Sequence, residues 1–77
     1  MPTTWIAGYA FRFYSSDGVE PPHVHVLKAG AEAKVWLDPV TLAYARRYND
    51  PEVNRILALV EENRDTLLER WNEYFGR

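Results

Sequence analysis

The chain has 77 residues, 47% of them hydrophobic and 14% aromatic, with a formal net charge of -2 at pH 7 and no cysteine. This size predicts a single small domain, residues 1–77, and the missing cysteines exclude disulfides, thiolate nucleophiles and cysteine-bound zinc. The charge argues against a strongly cationic nucleic-acid binder, and no apolar run approaches the roughly 18 residues of a membrane span, so we expect a cytoplasmic protein without membrane association.

The first predicted strand covers residues 8–14. Phe11 and Phe13 share one face of such a strand, because alternate side chains of a strand point the same way. Arg12 and Tyr14 then share the other face. A Ser-Ser-Asp-Gly cluster ends the strand, and two consecutive prolines impose extended geometry on the chain before the next strand begins.

The next two predicted strands, residues 23–28 and 31–37, form a hairpin. Gly30 can adopt the positive φ that a tight turn requires. The predicted cross-strand pairs are Val26 with Ala33, Val24 with Val35, His25 with Lys34, and His23 with Trp36. One face of this hairpin is apolar apart from a lysine at its rim. The other face, extended by the first strand, combines cationic, imidazole and aromatic groups: Arg12, Tyr14, His23, His25, Lys34 and Trp36.

Two helices are predicted after the hairpin. Asp38 followed by Pro39 favours the start of a short helix over residues 39–48, since aspartate caps free amides and proline suits the first helical turn. A second Asp-Pro pair starts a long helix over residues 51–75, in which apolar residues recur at helical spacing. The predicted fold class is therefore α+β, with a three-stranded antiparallel sheet covered by both helices.

The predicted long helix is longer than the sheet that it covers. About 25 residues extend roughly 37 Å at 1.5 Å per residue, which is more than so small a sheet can cover. We therefore expect its end to project, or the helix to bend near Asn63. A projecting end would present Trp71, Tyr74 and Phe75 to a partner.

Four short motifs carry a resemblance to a known family. They are residues 20–26 (EPPHVHV), 33–37 (AKVWL), 61–63 (EEN) and 71–75 (WNEYF). Together they resemble the bacterial domain of unknown function 4160 family, over nearly the whole chain.

The resemblance implies a partner more than a reaction. Members are short single-domain proteins often encoded beside a domain of unknown function 2442 protein, an arrangement similar to toxin–antitoxin pairs. A small partner protein of that second family is therefore expected. The motif positions are His23, His25, Lys34 and Trp36, and the family supplies no established catalytic residues.

The histidine pair suggests a metal site as one interpretation. Imidazoles at positions i and i+2 of a strand can reach one divalent ion, and Asp17 or Glu20 in the preceding loop could supply a carboxylate. A stable site usually needs three or four ligands, and the chain has no third histidine. A site shared across a homodimer would meet this objection. No other cofactor is expected. The alternative is that His23 and His25 are surface or half-buried residues, hydrogen-bonded to neighbours beside Trp36.

RNA cleavage or binding is a second interpretation. His23 and His25 could act as general base and acid, with Arg12 or Lys34 stabilising the charge on a phosphate. Tyr14 belongs to the same candidate catalytic set, and it and Trp36 could stack unpaired bases. On the short helix, Arg46 and Arg47 could contact phosphates; the alternative is that they pair with nearby acidic residues.

Three function hypotheses follow from these patterns. The first is one component of a toxin–antitoxin-like pair that acts through protein–protein contacts, with Trp71 and Phe75 at the interface. The second is a small RNA-cleaving or RNA-binding toxin that uses the histidine face. The third is a metal-binding module. The sequence leaves open whether the chain is an enzyme.

Overall fold

The structure, a computed structural model that describes residues 3–76, is a five-stranded antiparallel sheet followed by two helices. Each strand pairs with the next along the chain, in the order β1-β2-β3-β4-β5. The elements are β1 Thr3–Ile6, β2 Tyr9–Arg12, a 3₁₀ helix Ser15–Val19, β3 His23–Lys28, β4 Ala31–Leu37, β5 Val40–Arg46, α1 Asp50–Glu62 and α2 Arg64–Phe75. Across residues 3–76, no helix is both long and apolar enough to cross a membrane.

The central hairpin of β3 and β4 has the predicted register. Val24 lies opposite Val35, and His25 lies opposite Lys34. The remaining predicted pairs, Val26 with Ala33 and His23 with Trp36, are also present. The valines and Ala33 are fully buried, so the apolar face of the hairpin is the core face, as predicted. The α+β class and the antiparallel sheet are therefore confirmed.

The helices pack their apolar residues against that face. Ile56 and Val60 of α1, with Leu67 and Trp71 of α2, are buried in one cluster with the sheet. Phe11 and Phe13 join the same cluster, as predicted. Burial of this apolar surface supplies most of the stability of so small a fold.

The predicted number of strands was wrong at the amino terminus. Residues 3–6 form β1, an edge strand, and its turn into β2 is Ala7–Gly8, both with positive φ. Gly8 therefore belongs to a hairpin turn, for which glycine is well suited, and β2 begins at Tyr9 rather than at residue 8. The strand also ends earlier than predicted, because Tyr14 caps the 3₁₀ helix.

The predicted short helix over residues 39–48 was also wrong, because this segment is β5. Val40 and Leu42 are partly buried and pack on the core, whereas Thr41 and Ala43 are exposed, which is the alternation of a strand. Asp38 and Pro39 form the turn into β5, and Leu37 pairs with Val40 across it. The β-branched residues at the start of this segment favour the strand over the helix.

The predicted long helix over residues 51–75 is two helices. The chain breaks at Asn63, which caps both α1 and α2, so the predicted bend near this residue is confirmed. The helical segment begins at Asp50, and the cap of α1 is the Asn49 side chain, which accepts a hydrogen bond from the Glu52 amide at 3.0 Å. Because of the break, α2 folds back onto the sheet and Trp71 is buried rather than projecting.

Candidate metal centre

His23 and His25 lie side by side on β3 and are both buried. His23 is 0% exposed and His25 is 7% exposed, and their ring centroids are 5.2 Å apart. The ring of His23 contacts Trp36 at 5.3 Å and Trp71 at 5.2 Å between centroids. His25 contacts Tyr14 at 4.6 Å. The histidine face is therefore covered at this end of the sheet, whereas the sequence suggested an accessible surface.

The 3₁₀ helix places Asp17 against both imidazoles. The Tyr14 amide donates a hydrogen bond to Asp17 Oδ2 at 2.8 Å, which fixes the carboxylate over β3. Asp17 Oδ1 is 3.2 Å from His23 Nε2, and Asp17 Oδ2 is 3.2 Å from His25 Nε2. Burial raises the pKa of Asp17, but the Tyr14 amide and the two imidazoles together outweigh it, so the pKa lies below its usual value. Asp17 is therefore a carboxylate at neutral pH.

The other nitrogen of each ring faces an acceptor on the far side. His23 Nδ1 donates to the Pro21 carbonyl oxygen at 2.9 Å, since a carbonyl can only accept. His25 Nδ1 is 3.2 Å from Glu32 Oε2, which also accepts a hydrogen bond from the Tyr44 hydroxyl at 2.8 Å. Outer acceptors that hold the second nitrogen of an imidazole in this way are a regular feature of metal-bound histidines.

His23 and His25 have fewer ring protons than there are oxygen atoms facing their ring nitrogens. All four ring nitrogens of His23 and His25 face oxygen acceptors, whereas two neutral imidazoles carry only two protons. When His23 is neutral and its proton lies on Nδ1, it presents a lone pair at Nε2. Within residues 3–76 this buried nitrogen has no hydrogen-bond partner, because its 3.2 Å approach to Asp17 lacks hydrogen-bond direction. A cation between these groups would relieve the repulsion between them.

The spacing of the three groups suits a metal ion. One ligand atom from each of Asp17, His23 and His25 lies within 4.8 Å of the others. A zinc ion with ligand distances of about 2.0–2.2 Å holds tetrahedral neighbours about 3.3–3.6 Å apart. Asp17 Oδ1 has a similar spacing to both imidazoles, since it lies 3.2 Å from His23 Nε2 and 3.4 Å from His25 Nε2. The widest separation within the group, up to 4.8 Å, exceeds this spacing, so the two imidazoles have to move closer together to bind one divalent ion.

The cationic residues of the predicted catalytic set lie near this cluster but are engaged elsewhere. Lys34 Nζ donates to Glu20 Oε1 at 2.7 Å. Arg12 pairs with His25 across the strands, but its Nε donates to the Thr3 hydroxyl at 3.1 Å. Neither cation is aimed at a site between the two imidazoles.

The residues predicted to bind a partner or ligand fall into two groups. Trp36 is part of the histidine cluster, and Trp71 and Phe75 pack together at 4.3 Å between ring centroids. The second group is exposed: Tyr74, Arg46, whose guanidinium lies 5.0 Å from the Tyr44 ring, and Arg47 in the turn after β5. The structure therefore does not place Arg46 and Arg47 in the cluster that contains His23 and His25.

Three neighbours of the histidines escaped prediction. The contact of Glu32 with His25 could have been predicted, because the predicted register places Glu32 on the same face as His25 and diagonal to it. The position of Tyr44 could not have been predicted once residues 39–48 were interpreted as a helix. Trp71 was expected to project, so its contact with His23 was not foreseen.

Comparison with known families gives one match. A family model described as Domain of unknown function (DUF4160) matches residues 8–72, a range that contains Asp17, His23 and His25. No curated protein and no solved structure matches the chain.

Proposed function

This chain belongs to the domain of unknown function 4160 family, and we propose that it binds one divalent transition-metal ion through Asp17, His23 and His25. The observation that carries the proposal is the Nε2 atom of His23. This nitrogen is fully buried, lies 3.2 Å from a carboxylate oxygen of Asp17, and has no hydrogen-bond partner among residues 3–76. Buried polar atoms are nearly always satisfied, so this exception calls for a ligand.

The donor set selects the class of ion. Two imidazoles and one carboxylate suit zinc, iron, cobalt or nickel, whereas magnesium and calcium prefer oxygen ligands. The outer contacts of His23 and His25 support the same conclusion, since Pro21 and Glu32 orient both rings with Nε2 toward Asp17. The proposal needs no second protein copy, because the third ligand comes from the 3₁₀ helix of the same chain.

Equilibrium dialysis of the chelator-treated chain against Zn²⁺ tests this proposal. We expect about one ion per chain for the wild type, the stoichiometry of a single site. Asp17→Asn removes the charged ligand and is expected to weaken zinc binding by about 10-fold or more. Asp65→Asn is the matched control, because it removes the same charge from an exposed side chain of α2 and should leave the affinity unchanged.

Two outcomes would contradict the proposal. One is a wild-type chain that retains no zinc. The other is equal weakening by Asp17→Asn and Asp65→Asn, which would assign the binding to overall charge rather than to the cluster.

A protein partner remains a second candidate function. Trp5 is 71% exposed and Val19 is 93% exposed, and large apolar side chains in such positions favour contact with another molecule. A toxin–antitoxin-like module with a domain of unknown function 2442 protein stays a prediction on this basis. Metal binding is compatible with it, because the cluster lies beneath the surface.

The RNA-cleaving alternative has less geometric support. The 3₁₀ helix and α2 cover His23 and His25, so a phosphate has no direct approach to either imidazole in this conformation. Arg46 and Arg47 are exposed and remain predicted phosphate contacts. They would support binding of RNA without cleavage.

A further inference from the structure

We infer that Glu20 is the fourth ligand of this metal site and that Lys34 holds its carboxylate within reach of the ion. The inference rests on the proposed function and extends it, because a fourth protein ligand changes what the ion can do. It also assigns a role to the ion pair between Glu20 and Lys34.

Glu20 and Asp17 approach the same nitrogen of His23. Glu20 Oε1 lies 3.7 Å from His23 Nε2, and Asp17 Oδ1 lies 3.2 Å from it. Tetrahedral ligands of zinc are about 3.3–3.6 Å apart. Glu20 lies outside the group formed by Asp17, His23 and His25, so its carboxylate has to move toward all three to become a ligand. The Glu20 side chain is 45% exposed, so it is free to make that movement.

Lys34 fixes where the Glu20 carboxylate lies. Its ammonium group donates to Glu20 Oε1 at 2.7 Å, and it lies over the Trp36 ring at 4.6 Å from the centroid. The Lys34 side chain is only 14% exposed, which limits its alternative positions. The oxygen that pairs with Lys34, Oε1, is also the one that lies 3.7 Å from His23 Nε2. A carboxylate oxygen has two lone pairs, so Oε1 can accept from Lys34 and still bind an ion. Hydrogen bonds to ligating carboxylates are typical of metal sites.

The electrostatics agree with this arrangement. The hydrogen bond from Lys34 is the main cause that lowers the pKa of Glu20 below its usual value, although partial burial raises it. Glu20 is therefore ionised at neutral pH. With Asp17, two carboxylates would balance the charge of a divalent ion, and two neutral imidazoles would complete the site.

Four protein ligands give the ion a structural role. Closed tetrahedral sites stabilise folds, whereas catalytic sites keep a position open for water or substrate. Asp17 lies within the 3₁₀ helix and Glu20 caps its end, while both histidines lie on β3. The ion would thus fasten the segment between β2 and β3 onto the sheet.

Titration with Co²⁺ tests the role of Glu20, because the visible absorption of cobalt is intense in tetrahedral sites and weak in sites of higher coordination. We expect an intense spectrum for the wild type. Glu20→Gln is expected to weaken Co²⁺ binding by about 10-fold or more. It should also reduce the absorption, because more than one water molecule can enter where the carboxylate was and raise the coordination number. Glu61→Gln removes the same charge from an exposed position on α1 and should behave as the wild type.

Lys34 is tested as a positioning residue by two variants. Lys34→Met should weaken Co²⁺ binding by about 10-fold, within the range for outer partners, while the tetrahedral spectrum persists at saturation. Lys34→Arg should restore the affinity, since arginine keeps the positive charge and the donors. A purely structural role for Lys34 predicts instead a change in stability with unchanged affinity.

The outcomes separate this inference from the proposed function. If the wild type binds no Co²⁺, the metal site itself is refuted. If the wild type binds Co²⁺ and Glu20→Gln keeps both its affinity and its spectrum, only the fourth ligand is refuted. If Lys34→Met binds as the wild type does, the positioning role of Lys34 is refuted.

Discussion

Replacing Trp71 by alanine is expected to lower the free energy of unfolding by about 3–5 kcal/mol, the usual cost of truncating a fully buried large aromatic side chain. Trp71 is 0% exposed and lies between Phe13, at 5.5 Å, and Phe75, at 4.3 Å between ring centroids. It also covers His23. Since small domains are stabilised by roughly 0.05–0.15 kcal/mol per residue, this loss is a large part of the total. Chemical denaturation followed by circular dichroism measures it.

Trp5→Ala is the matched control for this experiment. Trp5 lies on the edge strand β1 and is 71% exposed, so its replacement should change the free energy of unfolding by no more than about 0.5 kcal/mol. Equal stability of both variants would show that Trp71 does not belong to the core. Trp71 would then be available to a partner, as the sequence alone suggested.

Zinc is expected to stabilise the folded chain through His23. An ion that binds only the folded state adds about 2.7 kcal/mol to the free energy of unfolding when its concentration is 100 times Kd. In His23→Gln this gain should disappear, because an amide is a poor ligand compared with an imidazole. The amide can still donate to the Pro21 carbonyl, so the metal-free variant should remain folded. Denaturation with and without Zn²⁺ measures both effects.

Magnesium supplies the control for this second experiment. Mg²⁺ has the same charge but prefers oxygen ligands in octahedral geometry, so it should stabilise neither the wild type nor His23→Gln. A zinc-dependent gain that persists undiminished in His23→Gln would remove His23 from the site. A gain with Mg²⁺ equal to that with Zn²⁺ would point to general charge screening.

The sequence predicts the centre of the fold better than its edges. The alternation of apolar and polar residues, together with a glycine turn, is enough to predict β3, β4 and their pairing register. A shift of one residue would move His25 into the core and Val26 out of it. Residues 39–48 were misassigned because an Asp-Pro pair starts helices and turns alike. The strand β5 exists because β4 offers it an edge, which is a tertiary cause that local propensity does not contain.

The candidate site was predictable in composition but not in burial. The sequence supplies the histidine spacing and names Asp17 and Glu20 as loop carboxylates. It does not say that the 3₁₀ helix folds over β3, because that depends on contacts such as the Tyr14 amide with Asp17. Nor does it place α2 over His23, since the position of α2 follows from the break at Asn63.

The most direct test of the metal site is nuclear magnetic resonance of the imidazole nitrogens during addition of Zn²⁺. His23 and His25 are the only histidines in the chain, so one substitution assigns all four nitrogen signals. We predict that the Nε2 signals of both residues shift with zinc, while both Nδ1 atoms keep their protons for Pro21 and Glu32. Nε2 signals that do not change in the presence of zinc would contradict the account, as would zinc bound at Nδ1.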